Sequence, residues 1–188
     1  AAHLTARVRS RKAALSADDP VRWLVCEGRP PTANKKLRAD GEDFLARLRG
    51  AATKAGWSAR EDLLQGTLCW FVRGYDLGRD SDADNLSKRV WDALEGLAFA
   101  DDKQVRLRTA AIIDLGPVDD EGEVPDIEAL DLTDVPDDLA MALDRLLSGR
   151  TRPGSARSPS FTYIELAPLD LRQLTFRGAA RGRQGRRD

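Results

Sequence analysis

The sequence predicts an α+β fold: a sheet of about four strands with two principal helices, plus an acidic insertion late in the chain. Three observations carry this. Four runs rich in β-branched and aromatic residues lie at 21–27, 66–73, 104–114 and 161–166. Two stretches between them, 41–56 and 84–96, repeat apolar residues at helical spacing. The segment from Asp114 to Asp144 then carries 12 acidic residues and no Lys or Arg.

The elements follow in order. Residues 1–20 are polar and mixed in charge and form an N-terminal extension. Trp23-Leu24-Val25-Cys26 belongs to the first strand, closed by Gly28-Arg29-Pro30-Pro31-Thr32-Ala33-Asn34. Two prolines after a glycine forbid helix there and make a rigid loop. In the first helix Phe44, Leu45, Leu48, Ala51, Ala52 and Ala55 share a face, and Gly56 is its stop. Leu68-Cys69-Trp70-Phe71-Val72 reads as a central strand. Leu86, Val90, Trp91 and Leu94 form the stripe of the second helix. Residues 104–114 alternate as a further strand, and Leu139, Leu143, Leu146 and Leu147 give a short helical pattern inside the 116–160 insertion and linker. The main domain is expected over 21–176. The tail 177–188, with five arginines and three glycines, is expected to be disordered.

Composition excludes several classes. At 188 residues, 41% hydrophobic and 32% charged, the chain suits one domain with appendages. No apolar run approaches the roughly 20 residues that span a membrane. Ala1-Ala2-His3-Leu4-Thr5-Ala6-Arg7 has no apolar core, so secretion is not expected. Cys26 and Cys69 sit in apolar runs and are expected as buried, reduced thiols in a cytoplasmic setting. The net charge of −1 hides an asymmetry. Outside the acidic segment 19 acids face 30 bases, so the rest of the chain carries +11, as a nucleic-acid binder should.

The chemistry concentrates between Asp82 and Val105. Asp82-Ala83-Asp84-Asn85-Leu86-Ser87-Lys88 opens the second helix, and Asp101-Asp102-Lys103-Gln104-Val105 follows it. Lys88 stands one turn above Asp84, and carboxylates at a helix start are favoured by its dipole. A capping Asp with an i,i+4 Asp–Lys pair needs no active site. Against that bland reading stand a second acid at the helix start, a further acid pair after the helix, and basic surroundings: Arg73, Arg79, Arg89, Lys103, Arg106 and Arg108. Carboxylate oxygens suit hard cations such as Mg²⁺, and lysine supplies a point charge for phosphate. His3, the only histidine, is remote from the motif, which disfavours a histidine base.

Asp82-x-Asp84-Asn85-x-x-Lys88, Trp91-Asp92-Ala93-Leu94-Glu95-Gly96 and Asp101-Asp102-x-Gln104-Val105 together resemble the signature of the RusA family, Mg²⁺-dependent Holliday-junction resolvases of bacteria and their prophages. Pro30-Pro31-Thr32-Ala33-Asn34 is similar to that family's N-terminal Pro-Pro loop. The resemblance covers about residues 21–115. It implies a RusA-like fold and a homodimeric endodeoxyribonuclease that cuts branched DNA in recombination and repair, in a bacterial or phage-infected cytoplasm. By position it makes Asp82, Asp84 and Asp102 the metal-binding carboxylates, with Asp101 as the adjacent alternative, and Lys88 the catalytic lysine. Mg²⁺ is the implied ion, with Mn²⁺ as substitute.

The arginine-rich lead into the first aspartate is thinned here to Arg73 and Arg79, with Asp80 between them and the motif. A helix from Asp84 to Gly96 is about 18 Å long, and the six residues returning to Asp102 reach at most about 20 Å. The acids therefore meet through a nearly extended connection, a shorter helix or a dimer interface. Lys35, Lys36 and Arg38 are candidate DNA contacts or ordinary solvated charge; Trp57, Trp70 and Trp91 are expected in the core. The acidic insertion is a cover for the cationic face, a site for a basic partner, or a plain loop. The rival in another class is a DNA- or junction-binding protein that keeps the fold without cleaving. An Asp-x-Asp sugar-nucleotide site fits the basic body poorly.

Overall fold

The computed structural model describes residues 10–11, 21–75, 82–116, 130, 135–148 and 160–173. Its elements are β1 (Ser10–Arg11), β2 (Arg22–Glu27), α1 (Ala39–Lys54), β3 (Leu64–Val72), α2 (Ala83–Leu94), β4 (Val105–Asp114), β5 (Val135–Pro136), α3 (Asp137–Leu147) and β6 (Ser160–Pro168). Most of the N-terminal extension, most of the acidic insertion, the tail and Arg79 lie outside the described residues.

The expected four-strand sheet forms in the order β2-β6-β3-β4. β6 is antiparallel to both β2 and β3, whereas β3 and β4 run parallel and are joined through α2. β3 is thus central, as its unbroken apolar run requires. β1 and β5 pair separately over two residues.

Strand alternation divides the core between two faces. Leu64, Leu68 and Ile164 face α1 and α2, packing with Phe44, Leu48, Val90, Trp91 and Leu94. Trp23, Phe71, Phe161 and Tyr163 face α3, packing with Leu139, Ala142, Leu143 and Leu146. The Phe71 and Phe161 rings stack with centroids 4.7 Å apart. α3 joins the two principal helices expected from the sequence. The Leu139–Leu147 pattern is a packed helix, because the second sheet face is too apolar to stand in water. Trp57, Trp70 and Trp91 are buried as expected.

α1 ends in a Schellman motif: Trp57 N–H donates to Ala52 O at 2.9 Å and Gly56 N–H to Thr53 O at 3.0 Å. Gly56 sits at φ +73°, a left-handed conformation that favours glycine. Cys26 and Cys69 are free, and burial pushes both thiols up to about 11, which leaves them inert. Among the described residues no helix is long and apolar enough to cross a membrane.

Candidate active site

α2 fixes the site because it runs back along the sheet. Leu86, in its first turn, packs with Trp70 and Val72 near the end of β3. Near its other end, Trp91 lies against Gly66 and Val105, at the beginnings of β3 and β4. The first turn of α2 therefore stands over the strand ends, and the segment after it restarts at the strand beginnings.

Asp82 is the N-cap. Its Oδ1 accepts from Asn85 N–H at 2.9 Å and its Oδ2 from Asn85 Nδ2 at 3.0 Å. A carboxylate offers about four acceptor positions, so two remain. Asp84, in the first turn, is exposed, and Lys88 is exposed one turn further on. Neither side chain has a partner among the described residues. Asn85 does more than hold Asp82, since its carbonyl accepts from Ala33 N–H at 2.9 Å and so binds the Pro-Pro loop to this helix end.

The other acids stay at the opposite end. Asp101 caps a 3-10 turn, Asp102–Gln104, in a reciprocal capping box with Gln104. The Lys103 N–H donated to its Oδ1 at 2.9 Å, helped by the Lys103 ammonium, holds the Asp101 carboxyl below its ordinary range. Asp102 is half exposed and faces Arg108, whose Nη2 reaches its carbonyl at 2.6 Å and its Oδ2 at 3.4 Å. Gln104 receives Ala100 and Asp101 N–H at Oε1, both at 2.8 Å, and donates from Nε2 to Arg60 O and Asp62 O. The twelve residues of α2, about 18 Å, separate the two sets. Among the described residues no group of three acidic, His or Cys side chains is placed to share a metal. The structure brings Asp82, Asp84 and Lys88 together and leaves Asp101 and Asp102 away from them.

The cationic candidates divide likewise. Lys35, Lys36 and Arg38 line a groove beside the Pro-Pro loop. Arg73 borders it too but is only 7% exposed, donating to Gly116 O at 3.2 Å and Leu147 O at 3.5 Å. Arg89 is turned inward, donating to Thr32 O (2.7 Å), Ala33 O (3.3 Å) and Lys35 O (2.8 Å). Both arginines, expected from the sequence as DNA contacts, also bond to the protein's own backbone. Lys103 and Arg108 pair with Asp101 and Asp102, and Arg106 is the exposed extra residue where the β3–β4 register shifts.

Sequence reasoning missed Arg29, Arg47 and Arg145, which line the same groove. Arg29, one residue before Pro-Pro, was the legible one. It also missed Asp114, whose carboxylate accepts Gly74 N–H (2.9 Å), Tyr75 N–H (3.1 Å) and Gly116 N–H (3.0 Å). That bond set anchors the chain just before the residues leading to Asp82.

A search of the curated proteins finds no match to this chain. The family model for Endodeoxyribonuclease RusA matches residues 51–117, which run from the last turn of α1 through α2 to just beyond β4. Over that stretch, which holds Asp82, Asp84, Lys88, Asp101 and Asp102, the chain is similar to the RusA endodeoxyribonuclease family.

Proposed function

We propose that this protein is a metal-dependent endodeoxyribonuclease that hydrolyses phosphodiester bonds in branched DNA, four-way junctions among them. It acts as a homodimer in recombination and repair, in the cytoplasm of a bacterial or phage-infected cell. The observation that carries this reading is the exposed Asp84–Lys88 pair beside the capping Asp82, inside the stretch with the endodeoxyribonuclease likeness.

Mg²⁺ is commonly held by one or two carboxylates, with waters and substrate phosphates completing six ligands. Asp82, with two acceptor positions left by the described residues, and the exposed Asp84 fit that demand. The set Asp82, Asp84 and Asp102 of one chain does not. When bound there, Mg²⁺ or Mn²⁺ supplies an activated water and neutralises phosphate charge. The chain's own residues do the rest. Asn85 fixes the Asp82 carboxylate, and Lys88 offers its ammonium to the charge that develops on the phosphate or the leaving oxygen. Asp102 joins such a site only from a second copy. A C2 dimer also supplies the two identical sites that paired cuts in a two-fold junction require.

The test is cleavage of a labelled four-way junction with Mg²⁺, with linear duplex and flap DNA run beside it. Wild type should cut branched DNA; Asp84→Asn and Asp82→Asn should abolish cutting while binding is kept or strengthened. Absence of metal-dependent cleavage of any branched DNA by wild type would sink the nuclease reading. It would leave a non-cleaving DNA-binding protein, which the Asp102–Arg108 pair and the separation of the acids favour.

A further inference from the structure

We propose that the groove between the Pro-Pro loop and α3 holds an unpaired DNA strand, and that α3 is the wall that selects single strand over duplex. The nuclease reading contributes only the identity of the polymer; the groove's shape and charge contribute the rest. At about 1500 Å³ it exceeds the roughly 300–1,000 Å³ of small-molecule pockets. The loop from Gly28 to Arg38 and α1 line it on one face of the sheet, Asp138, Ala142, Arg145 and Leu146 of α3 line it on the other, and the ends of β2 and β3 and the start of β6 lie between them.

The loop side is rigid. Gly28, at φ +100°, donates to Ser160 O at 2.8 Å, and Thr162 Oγ1 donates back to Gly28 O at 3.0 Å. Pro31 packs so closely on α1 that a Cβ at Gly41 would lie 2.9 Å from it. Arg89 and Asn85 then tie the same loop to the first turns of α2.

Seven basic side chains line the groove against three acidic ones, in a chain whose overall charge is −1. Lys35, Lys36 and Arg38 are exposed, and their side chains have no partner among the described residues. Cations strung along a groove suit a polymer of phosphates rather than one compact anion. The Arg29 guanidinium lies over the Trp70 ring, 5.1 Å from its centroid. Guanidinium planes are surfaces on which unpaired bases stack, and the Trp70 ring helps position this one. A duplex, being a convex cylinder, meets a two-walled groove at its rims and cannot offer a base to Arg29. α3, the wall that makes the selection, lies outside residues 51–117, so the family likeness does not assign it.

Anisotropy of a labelled 12-nucleotide strand and of its duplex, with EDTA present, tests this on the full chain. Wild type should bind the single strand more tightly. Lys35→Gln/Lys36→Gln should weaken single-strand binding at least tenfold and reduce the slope of log K against log salt by about 1.4. Arg29→Lys should weaken it several-fold at unchanged slope, and Arg145→Glu should erase the preference over duplex. Equal or tighter duplex binding by wild type, or a single-strand affinity indifferent to all three variants, overturns the proposal. Junction cleavage by wild type, run in parallel, separates the two readings: cleavage with indifferent groove variants removes the strand site alone, and the expected binding losses without cleavage support the strand site and remove only the nuclease.

Discussion

The two ends of α2 carry the same residue types and do different work. At the start, Asp82 caps the helix, but Asp84 and Lys88 face solvent without partners among the described residues. Beyond the far end, Asp101 caps a turn, Gln104 makes four hydrogen bonds, and Asp102 meets Arg108. Among the described residues, the protein itself satisfies more of the polar atoms at the far end than at the start. The difference teaches that acid spacing alone does not identify a metal site. What separates the ends is how many polar atoms the protein itself has already satisfied.

The largest expected effect breaks or upholds that division directly. Asp84→Asn should lower junction cleavage on the order of 10²–10³-fold, the scale of losing a main transition-state electrostatic contact. Circular dichroism should be unchanged, since an exposed first-turn acid contributes only about 0.3–1 kcal/mol through the dipole. Asp102→Asn tells which end matters. A loss under tenfold leaves the far end structural. A loss equal to that of Asp84→Asn means that the ends of two chains are joined, and a mixture of the two variants should then recover cleavage through mixed dimers.

The sheet and two helices were legible because burial imposes periods of 2 and 3.6 on the residues themselves. The third helix was legible only as a short pattern. Its significance depended on Trp23, Phe161 and Tyr163, distant in sequence, forming an apolar sheet face that something had to cover. The continuous run Leu68–Val72 was the available hint, since a strand apolar on both sides needs two covering layers. At the site, the motif identified the acids and Lys88, and the helix length raised the problem of closure. It could not reveal that Arg73 and Arg89 serve backbone carbonyls. Hydrogen bonds 74 residues apart, as from Arg73 to Leu147, leave no local trace.

Next in size is a packing test of the spacer between the ends. A Cβ on Gly66 would lie 2.8 Å from Trp91 Cη2 and 3.2 Å from Val105 Cγ1. Both neighbours are buried, so Gly66→Ala should cost about 1–3 kcal/mol in denaturant unfolding. The strain enters at the far end of α2, so cleavage by the folded fraction should persist. Specific activity falling in step with stability would show the two ends to be mechanically coupled.

Gln104→Ala should cost about 1 kcal/mol, because the amide protons it releases are near solvent and regain water. Its effect on cleavage should stay within about threefold. A larger loss would make the turn part of the site after all.

The smallest effect concerns acid. The carboxyl of Asp101 is held below its ordinary 3.8, chiefly by the Lys103 N–H and then by the Lys103 ammonium. A depressed carboxyl stabilises the fold fully above its unfolded value and loses that contribution as pH falls through the lowered one. Asp101→Asn should therefore leave a variant whose unfolding midpoint declines less steeply than wild type's below about pH 4, while at pH 7 it keeps an acceptor for the same N–H. Because the group is fully exposed, the gap between the two curves should be small. If it instead matches the collapse caused by Gly66→Ala, the charge on Asp101 is holding more than one turn, and the far end of α2 is no longer merely structural.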